Sequence, residues 1–277
     1  MIERGGPTPI GVLGGSGFYE FLADAKTVDV STPFGPPSEP PLAGHVGDRR
    51  VVFVPRHGRD HRFAPHRIPY RANLWVLRAL GVEQVLAPSA VGSLRAELGP
   101  GSLVIPDQVV DRTWGREHTF YDRDEPFVHV PFADPYCPTG RRAVLDAARQ
   151  HAWATRDGGT LVVIQGPRFS SRAESRHHAA EGWTIVGMTG QPEATLAREL
   201  GLCYTCIALV TDLDAGLESG EGVTQEEVFA EFARSVERLR TLLADVVAGL
   251  PARASCACSD GTGRTLAGLG FDAPPQA

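Results

Sequence analysis

What most constrains this 277-residue chain is a recurring pair of signals: a short apolar run, then a cluster of small and polar residues that closes it. The runs Ile10–Leu13, Val51–Val54, Val85–Ala87, Leu103–Ile105, Leu161–Ile164, Thr184–Met188 and Cys203–Val210 read as strands. Helical segments lie between them. The spacing predicts a helix over Tyr70–Leu80, after Pro69 and before Gly81, and another over Glu193–Leu200, between Pro192 and Gly201. The clearest helix starts at Thr224, where Thr224 and Glu227 form a capping box. Val228, Phe229, Phe232, Val236, Leu239, Leu243 and Val247 then keep one apolar face until Pro251. Alternating strands and helices imply an α/β protein with a largely parallel or mixed sheet covered on both faces. The length fits one large domain, here residues 1–250, with an appendage. From Ala252 onward the periodicity fades into Gly, Ala, Pro and Ser, so residues 251–277 are expected to be a tail with little fold of its own.

Composition removes several function classes. With 27 basic against 33 acidic residues the net charge is −6, which argues against a nucleic-acid footprint. No run approaches the roughly 20 apolar residues of a membrane span, and the N-terminal stretch does not read as a secretory signal. The expectation is a cytoplasmic protein. Lys26 is the only lysine, so a P-loop cannot be written, and any anion must be held by arginine, backbone N–H groups or hydroxyls. The five cysteines are Cys137, Cys203, Cys206, Cys256 and Cys258. Cys203 and Cys206 sit three apart in a strand, which points them to opposite faces, and no second paired set lies at zinc-finger spacing. No metal and no cofactor are expected.

The closing clusters are where chemistry would sit, because ligands of open α/β sheets bind at strand ends. Gly14-Gly15-Ser16-Gly17 allows close approach of an anion, but lacks the glycines of a dinucleotide fingerprint or a nucleophile elbow. Pro55-Arg56-His57-Gly58 offers a guanidinium fork and an imidazole donor; the plain alternative is a solvated basic loop. Pro88-Ser89-Ala90-Val91-Gly92-Ser93 and Gly187-Met188-Thr189 close two further strands. In Gln165-Gly166-Pro167-Arg168-Phe169-Ser170-Ser171, Phe169 gives a stacking face beside hydroxyls. Thr211-Asp212-Leu213-Asp214 ends the last strand with two carboxylates on one side. Left unpaired they repel, so one should have a raised pKa and carry a proton near neutral pH. Together these motifs describe a site for a phosphate plus a neutral polar ligand, without a covalent nucleophile.

In this order, GVLGGSGFYE, RHGRDH, PYRANLWVL, LGPGSLVIPDQVVDRT, FADPYCP, QGPRFSSRAES and ALVTDLDAG resemble the trimeric nucleoside phosphorylases, most of all their methylthioadenosine branch. The likeness runs from about Gly11 to Leu243. It implies a single phosphorylase/hydrolase-like domain, a twisted mixed sheet flanked by helices, assembled as a homotrimer. The implied reaction takes a nucleoside and inorganic phosphate, the latter a co-substrate. By matching motif, phosphate would be held by Ser16, Arg56, His57, Ser89, the Ala90 backbone and Thr189. Met188 would lie on the ribose, and Phe169 with Ser170 on the purine. Asp212 would protonate or hydrogen-bond N7, and Asp214 would accept from a 6-amino group. Val228 and Phe229 would line the 5′ pocket, with His129 arriving from a neighbouring subunit.

Two aspartates favour adenine, since a 6-oxopurine needs a donor; the alternative is a general purine nucleoside phosphorylase. Gly187, Gly190-Gln191 and Gln225 depart from the family pattern. Cys256-x-Cys258 is similar to a C-terminal pair that closes a disulfide in some relatives; nothing in this sequence assigns it that role here.

Overall fold

The computed structural model describes residues 8–15, 18, 21–122, 127–215, 223–252 and 255–271. Every apolar run predicted as a strand is one. β1 (Ile10–Gly14) lies between β4 (Arg49–Pro55) and β5 (Gln84–Ser93), parallel to both, and β5 is also parallel to β11 (Cys203–Leu213). β2 (Ala23–Thr27) and β3 (Leu42–Val46) add antiparallel beyond β4. β6 (Leu103–Ile105) runs antiparallel to β11 and parallel to β8 (Thr155–Asp157). β9 (Thr160–Ile164) joins β7 (Gln108–Arg112) to β10 (Ile185–Gly187) in parallel, and β10 pairs antiparallel with β5. The result is one mixed 11-stranded sheet.

β5 changes partner along its length. On one edge it keeps β11 from Gln84 to Ser93. On the other, β1 ends opposite Leu86 and β10 begins opposite Gly92. Residues 87–91 therefore have no ladder partner on that edge among the described residues, a gap in the middle of the sheet.

Period-two alternation divides the strands between two cores. Val52 and Val54 of β4 and Cys206, Ala208 and Val210 of β11 pack on one face, under α1 (Tyr70–Ala79) and α4 (Gly190–Glu199). Val51, Phe53, Ile207 and Leu209 pack on the other, under α2 (Pro138–Gln150) and α5 (Gln225–Gly249). A shorter helix, α3 (Arg172–Ala180), opens on a Ser171–Glu174 capping box. The predicted capping box of α5 is present, with Thr224 accepting from the Glu227 N–H. The regular part of α4 begins after Gln191, which is extended at φ −120 and ψ 136, in keeping with the Pro192 start. The strands without an apolar signal are edge or short: β2 is ADAKT, exposed throughout, and β8 is TRD.

The tail departs from expectation. Over residues 255–271 it is folded, with α6 (Gly263–Gly268) placing Leu266 fully inside the α1–α4 core and Phe271 on Trp75 at 4.5 Å. Isolated anchors in a glycine-rich stretch produce no periodicity, which is why the pattern fades while the packing continues. No helix among the described residues is long and apolar enough to cross a membrane.

Gly140, in the first turn of α2, brings that helix onto β11: a Cβ there would lie 1.9 Å from Thr205 Oγ1 and 3.1 Å from Thr205 Cβ. Alanine in place of a helical glycine ordinarily stabilises by roughly 0.5–1 kcal/mol. Here Gly140→Ala is expected to destabilise by about 1–3 kcal/mol through overpacking, and Thr205→Ala to recover part of it. Urea denaturation checks the sign, and a raised midpoint for the single variant would refute the clash.

Candidate active site

Three of the strand-end clusters meet at the β5 gap: Pro88–Ser93 runs through it, Arg56 bonds Pro88 O, and Asp212 stands opposite Gly92. Arg56 follows β4 and is 3% exposed. Its backbone N–H donates to Gly14 O at 2.8 Å, tying it to β1. Its Nε and Nη2 donate to the two carboxylate oxygens of Glu193 at 2.5 and 3.0 Å, and Nη1 donates to Pro88 O at 2.9 Å. Burial alone would lower its pKa, but the charge and hydrogen bonds of Glu193 outweigh that and hold it above the ordinary value. Glu193 is fully buried on α4 and also accepts from Tyr204 Oη at 2.7 Å. The fork read from sequence as an anion clamp is thus closed on Glu193. Three of the five guanidinium N–H bonds are engaged, and the other two have no partner among the described residues.

His57 departs from the sequence reading in a similar way. Its Nδ1 is 2.9 Å from Phe63 O, and because a carbonyl only accepts, the ring donates from Nδ1. Burial, then the neighbouring His61 and Arg56, push its pKa down to about 3. The ring is therefore neutral near pH 7 and presents Nε2 as an acceptor, not the donor expected. His61 stacks on it at 4.0 Å, held in a left-handed backbone conformation (φ 58) after Gly58.

Ser89 and Ala90 sit half-buried in the unpaired stretch of β5, where strand backbone faces the opening. Thr189 is buried at the N-cap of α4 and bonds no backbone there with its side chain, so its hydroxyl is not spent on capping. Met188 is fixed through its carbonyl, which accepts from Arg116 Nη1 at 2.9 Å. Arg116 also donates to the Gln191, Ile164 and Gln165 carbonyls, so one side chain ties the ends of β9 and β10 to the start of α4. Nothing in the sequence marked it. Leu161 fills the space beside Gly187 and Gly190, its methyls 3.3 and 2.7 Å from where a Cβ would stand.

The carboxylate pair is at the end of β11. The ladder with β5 is bulged between Val210 and Asp212, and Asp212 then stands opposite Gly92. A Cβ at Gly92 would be 2.8 Å from Asp212 Oδ1 and 3.3 Å from Asp214 Cβ, so both aspartates crowd over one glycine. Burial raises the Asp212 pKa to about 6; the Thr211 hydroxyl, donating at 2.9 Å, opposes this, and the charges of Asp214 and Glu227 add to it. Asp214 is buried and also raised, by burial first, against the hydrogen bond from Ser175 (2.5 Å). Ser175, on α3, was not foreseen, nor was His178 one turn later, whose buried Nδ1 has no partner among the described residues. Ser170 is buried and Phe169 half-buried on the approach to α3.

Asp212 borders a cavity with Leu213, Val223, Glu227, Ala230 and Arg234. Val228 is half-buried at the start of α5, and Phe229, 47% exposed, meets His61 edge-on at 5.8 Å. That contact joins α5 to the Arg56–His57 loop. His129 is not brought to this cluster: it is exposed against Phe127, in the segment whose Pro131 and Asp134 carbonyls accept from Arg198 at the far end of α4. Ser16 lies outside the described residues. Of the cysteines, Cys206 faces Ser89, whereas Cys137, Cys203, Cys256 and Cys258 bring their sulfurs within 4.8 Å of one another, a grouping their sequence spacing did not suggest.

The model of the phosphorylase superfamily matches residues 9–248. This chain belongs to that superfamily. A purine nucleoside phosphorylase of Streptomyces coelicolor is 60% identical to this phosphorylase over 91% of the chain and 92% of its own length. An S-methyl-5′-thioadenosine phosphorylase of Mycolicibacterium smegmatis is 56% identical over 89% and 93%. Methylthioadenosine phosphorylase from Schistosoma mansoni, solved in complex with adenine, superposes with a TM-score of 0.86 at 36% identity, over 95% of this chain and 98% of that one.

The raised Asp212 pKa has a thermodynamic consequence. Between its unfolded value of 3.8 and about 6 the native state keeps a proton that the unfolded state releases, so this group's contribution to stability falls as pH rises through that window. Asp212→Asn removes the cost and is expected to stabilise the fold by about 1–3 kcal/mol at pH 8 relative to its effect at pH 4. Thermal melts at the two pH values test this; equal effects at both would show that the buried carboxylate carries no such cost.

Proposed function

We propose that this phosphorylase cleaves S-methyl-5′-thioadenosine with inorganic phosphate, giving adenine and 5-methylthioribose 1-phosphate. The observation that carries the reading is the pair Asp212 and Asp214 over Gly92, one with a pKa near 6 and both desolvated. Breaking the glycosidic bond leaves positive charge on the ribose and negative charge on the departing purine. A phosphate oxygen attacks C1′ as the bond electrons move to the purine, and Asp212 supplies or shares a proton at N7. Asp214, kept polar by its Ser175 hydroxyl donor, accepts from the 6-amino group.

Phosphate would lie in the β5 gap. The two remaining N–H bonds of Arg56, the Ala90 backbone, and the Ser16, Ser89 and Thr189 hydroxyls are its donors in this reading. The neutral His57 fits a hydrogen phosphate, whose own proton its Nε2 can accept. Positioning of three participants, without a covalent intermediate, supplies the catalysis. Met188 would back the ribose, Phe169 and Ser170 the purine, and Val228 and Phe229 the apolar 5′ group. The exposed His129, with Phe127 exposed two residues before it, suits contribution from a neighbouring subunit of a homotrimer. Five cysteines in the reduced state fit a reducing cytoplasm. Supporting the substrate choice, the Schistosoma mansoni enzyme has also been solved as a mutant in complex with methylthioadenosine, at a TM-score of 0.84.

A second reading, a general purine nucleoside phosphorylase, is favoured by the name of the Streptomyces coelicolor relative. Phosphate-dependent base release from 5′-methylthioadenosine, adenosine and inosine, measured side by side, separates the two. Preference for the first is expected, with Asp214→Asn shifting the ratio toward inosine by about tenfold or more. Preference for inosine in the wild type would sink the methylthioadenosine assignment, and release without phosphate would sink phosphorolysis.

A further inference from the structure

The four cysteines that the reaction does not use come from three separate parts of the chain. Cys137 is the N-cap of α2, Cys203 opens β11, and Cys256 and Cys258 flank Ala257 in the C-terminal segment. Their sulfurs all lie within 4.8 Å of one another; Cys256 Sγ is 3.7 Å from Cys137 Sγ and 3.4 Å from Cys203 Sγ. These separations are far longer than a sulfur–sulfur bond of about 2.05 Å. The two Cys256 distances lie close to the edge of a tetrahedron of thiolates around zinc, about 3.8 Å for a Zn–S distance of about 2.3 Å.

We propose that Cys137, Cys203, Cys256 and Cys258 form a tetrahedral thiolate site for a structural divalent zinc ion. Four sulfur ligands leave no open position for substrate or water, which is the pattern of a structural and not a catalytic zinc. Cys137 and Cys258 are buried and Cys203 and Cys256 half-buried, so the ion would be shielded from solvent. Position favours thiolate: Cys137 stands at the N-terminal end of a 13-residue helix, where the dipole stabilises negative charge. The frame is set by backbone bonding, since the Cys137 N–H donates to Tyr204 O at 2.8 Å and so holds the first two ligands together independently of the tail. Binding displaces the four thiol protons to solvent and involves no electron transfer.

The ion would fasten the tail. Beyond α5, the C-terminal segment returns to the sheet through Cys258 and Leu266, and a tie at Cys256 and Cys258 anchors it beside the start of β11. Asp212 and Asp214 lie at the other end of that strand, so the ion would act through stability and not through the reacting atoms.

The test uses the full-length untagged protein, grown with zinc, desalted without chelator and analysed by inductively coupled plasma mass spectrometry. The expectation is about one zinc per chain, with five thiols titrating after denaturation in chelator and no disulfide in non-reducing peptide maps. The variant carrying Cys256→Ser and Cys258→Ser, altered only in the peripheral segment, should lose the zinc and melt about 5–10 °C lower, with turnover at 25 °C close to wild type. Cobalt substituted for zinc should give the intense visible bands of a tetrahedral thiolate complex in the wild type alone. Absence of zinc with five free thiols would overturn the proposal, as would a disulfide among these four cysteines. Retention of zinc by the double variant would place the ion on other ligands and equally refute the site.

Discussion

β5 is paired with β11 along ten residues, while its other edge passes from β1 to β10. The rest of the molecule depends on this exchange of partners. Continuous pairing on one side keeps the sheet intact, and the interruption on the other opens a gap lined by strand backbone and by the ends of β1, β4 and β10. Backbone N–H and C=O groups require partners. A stretch of central strand without a ladder partner can persist only where side chains, water or a ligand serve it, and Arg56 already does so at Pro88 O.

The buried Arg56–Glu193 pair fixes the wall of that gap. It links the end of β4 to α4 across the sheet, with Tyr204 of β11 completing the Glu193 carboxylate. Removing one member of such a pair typically costs about 3–5 kcal/mol, because the other is left charged and desolvated. The pair is close to neutral overall, so an anion entering the gap would meet oriented donors and not a strong net positive charge. In the proposed reaction, that fits a site that releases a phosphorylated product as well as binding phosphate.

Packing, not charge alone, sets up the carboxylate pair. A β-bulge at Thr211 and the missing side chain at Gly92 let Asp212 and Asp214 crowd one spot at the end of β11. Burial raises both pKa values, while Thr211 and Ser175 restrain the rise. Environment thus brings Asp212 near its titration point, a general means by which proteins tune an acid group.

Strand and helix positions were legible in the sequence where burial imposes a period: the seven apolar runs, the Pro–Gly brackets of α1 and α4, and the capping box of α5 depend on local chemistry and are found in place. So was the pairing of two carboxylates at a strand end, since alternation alone places them on one side. Edge strands such as β2 left no trace because exposed strands need no apolar face. Long-range partners left none either. Glu193 closing the Arg56 fork, Arg116 binding four carbonyls, Ser175 meeting Asp214 and the cysteines gathered from three parts of the chain join segments 39 to 137 positions apart. Nor could the sequence give the His57 tautomer, which follows from Phe63 O lying against Nδ1. Local patterns record which face of an element is buried; which groups meet there is decided only when the sheet is assembled.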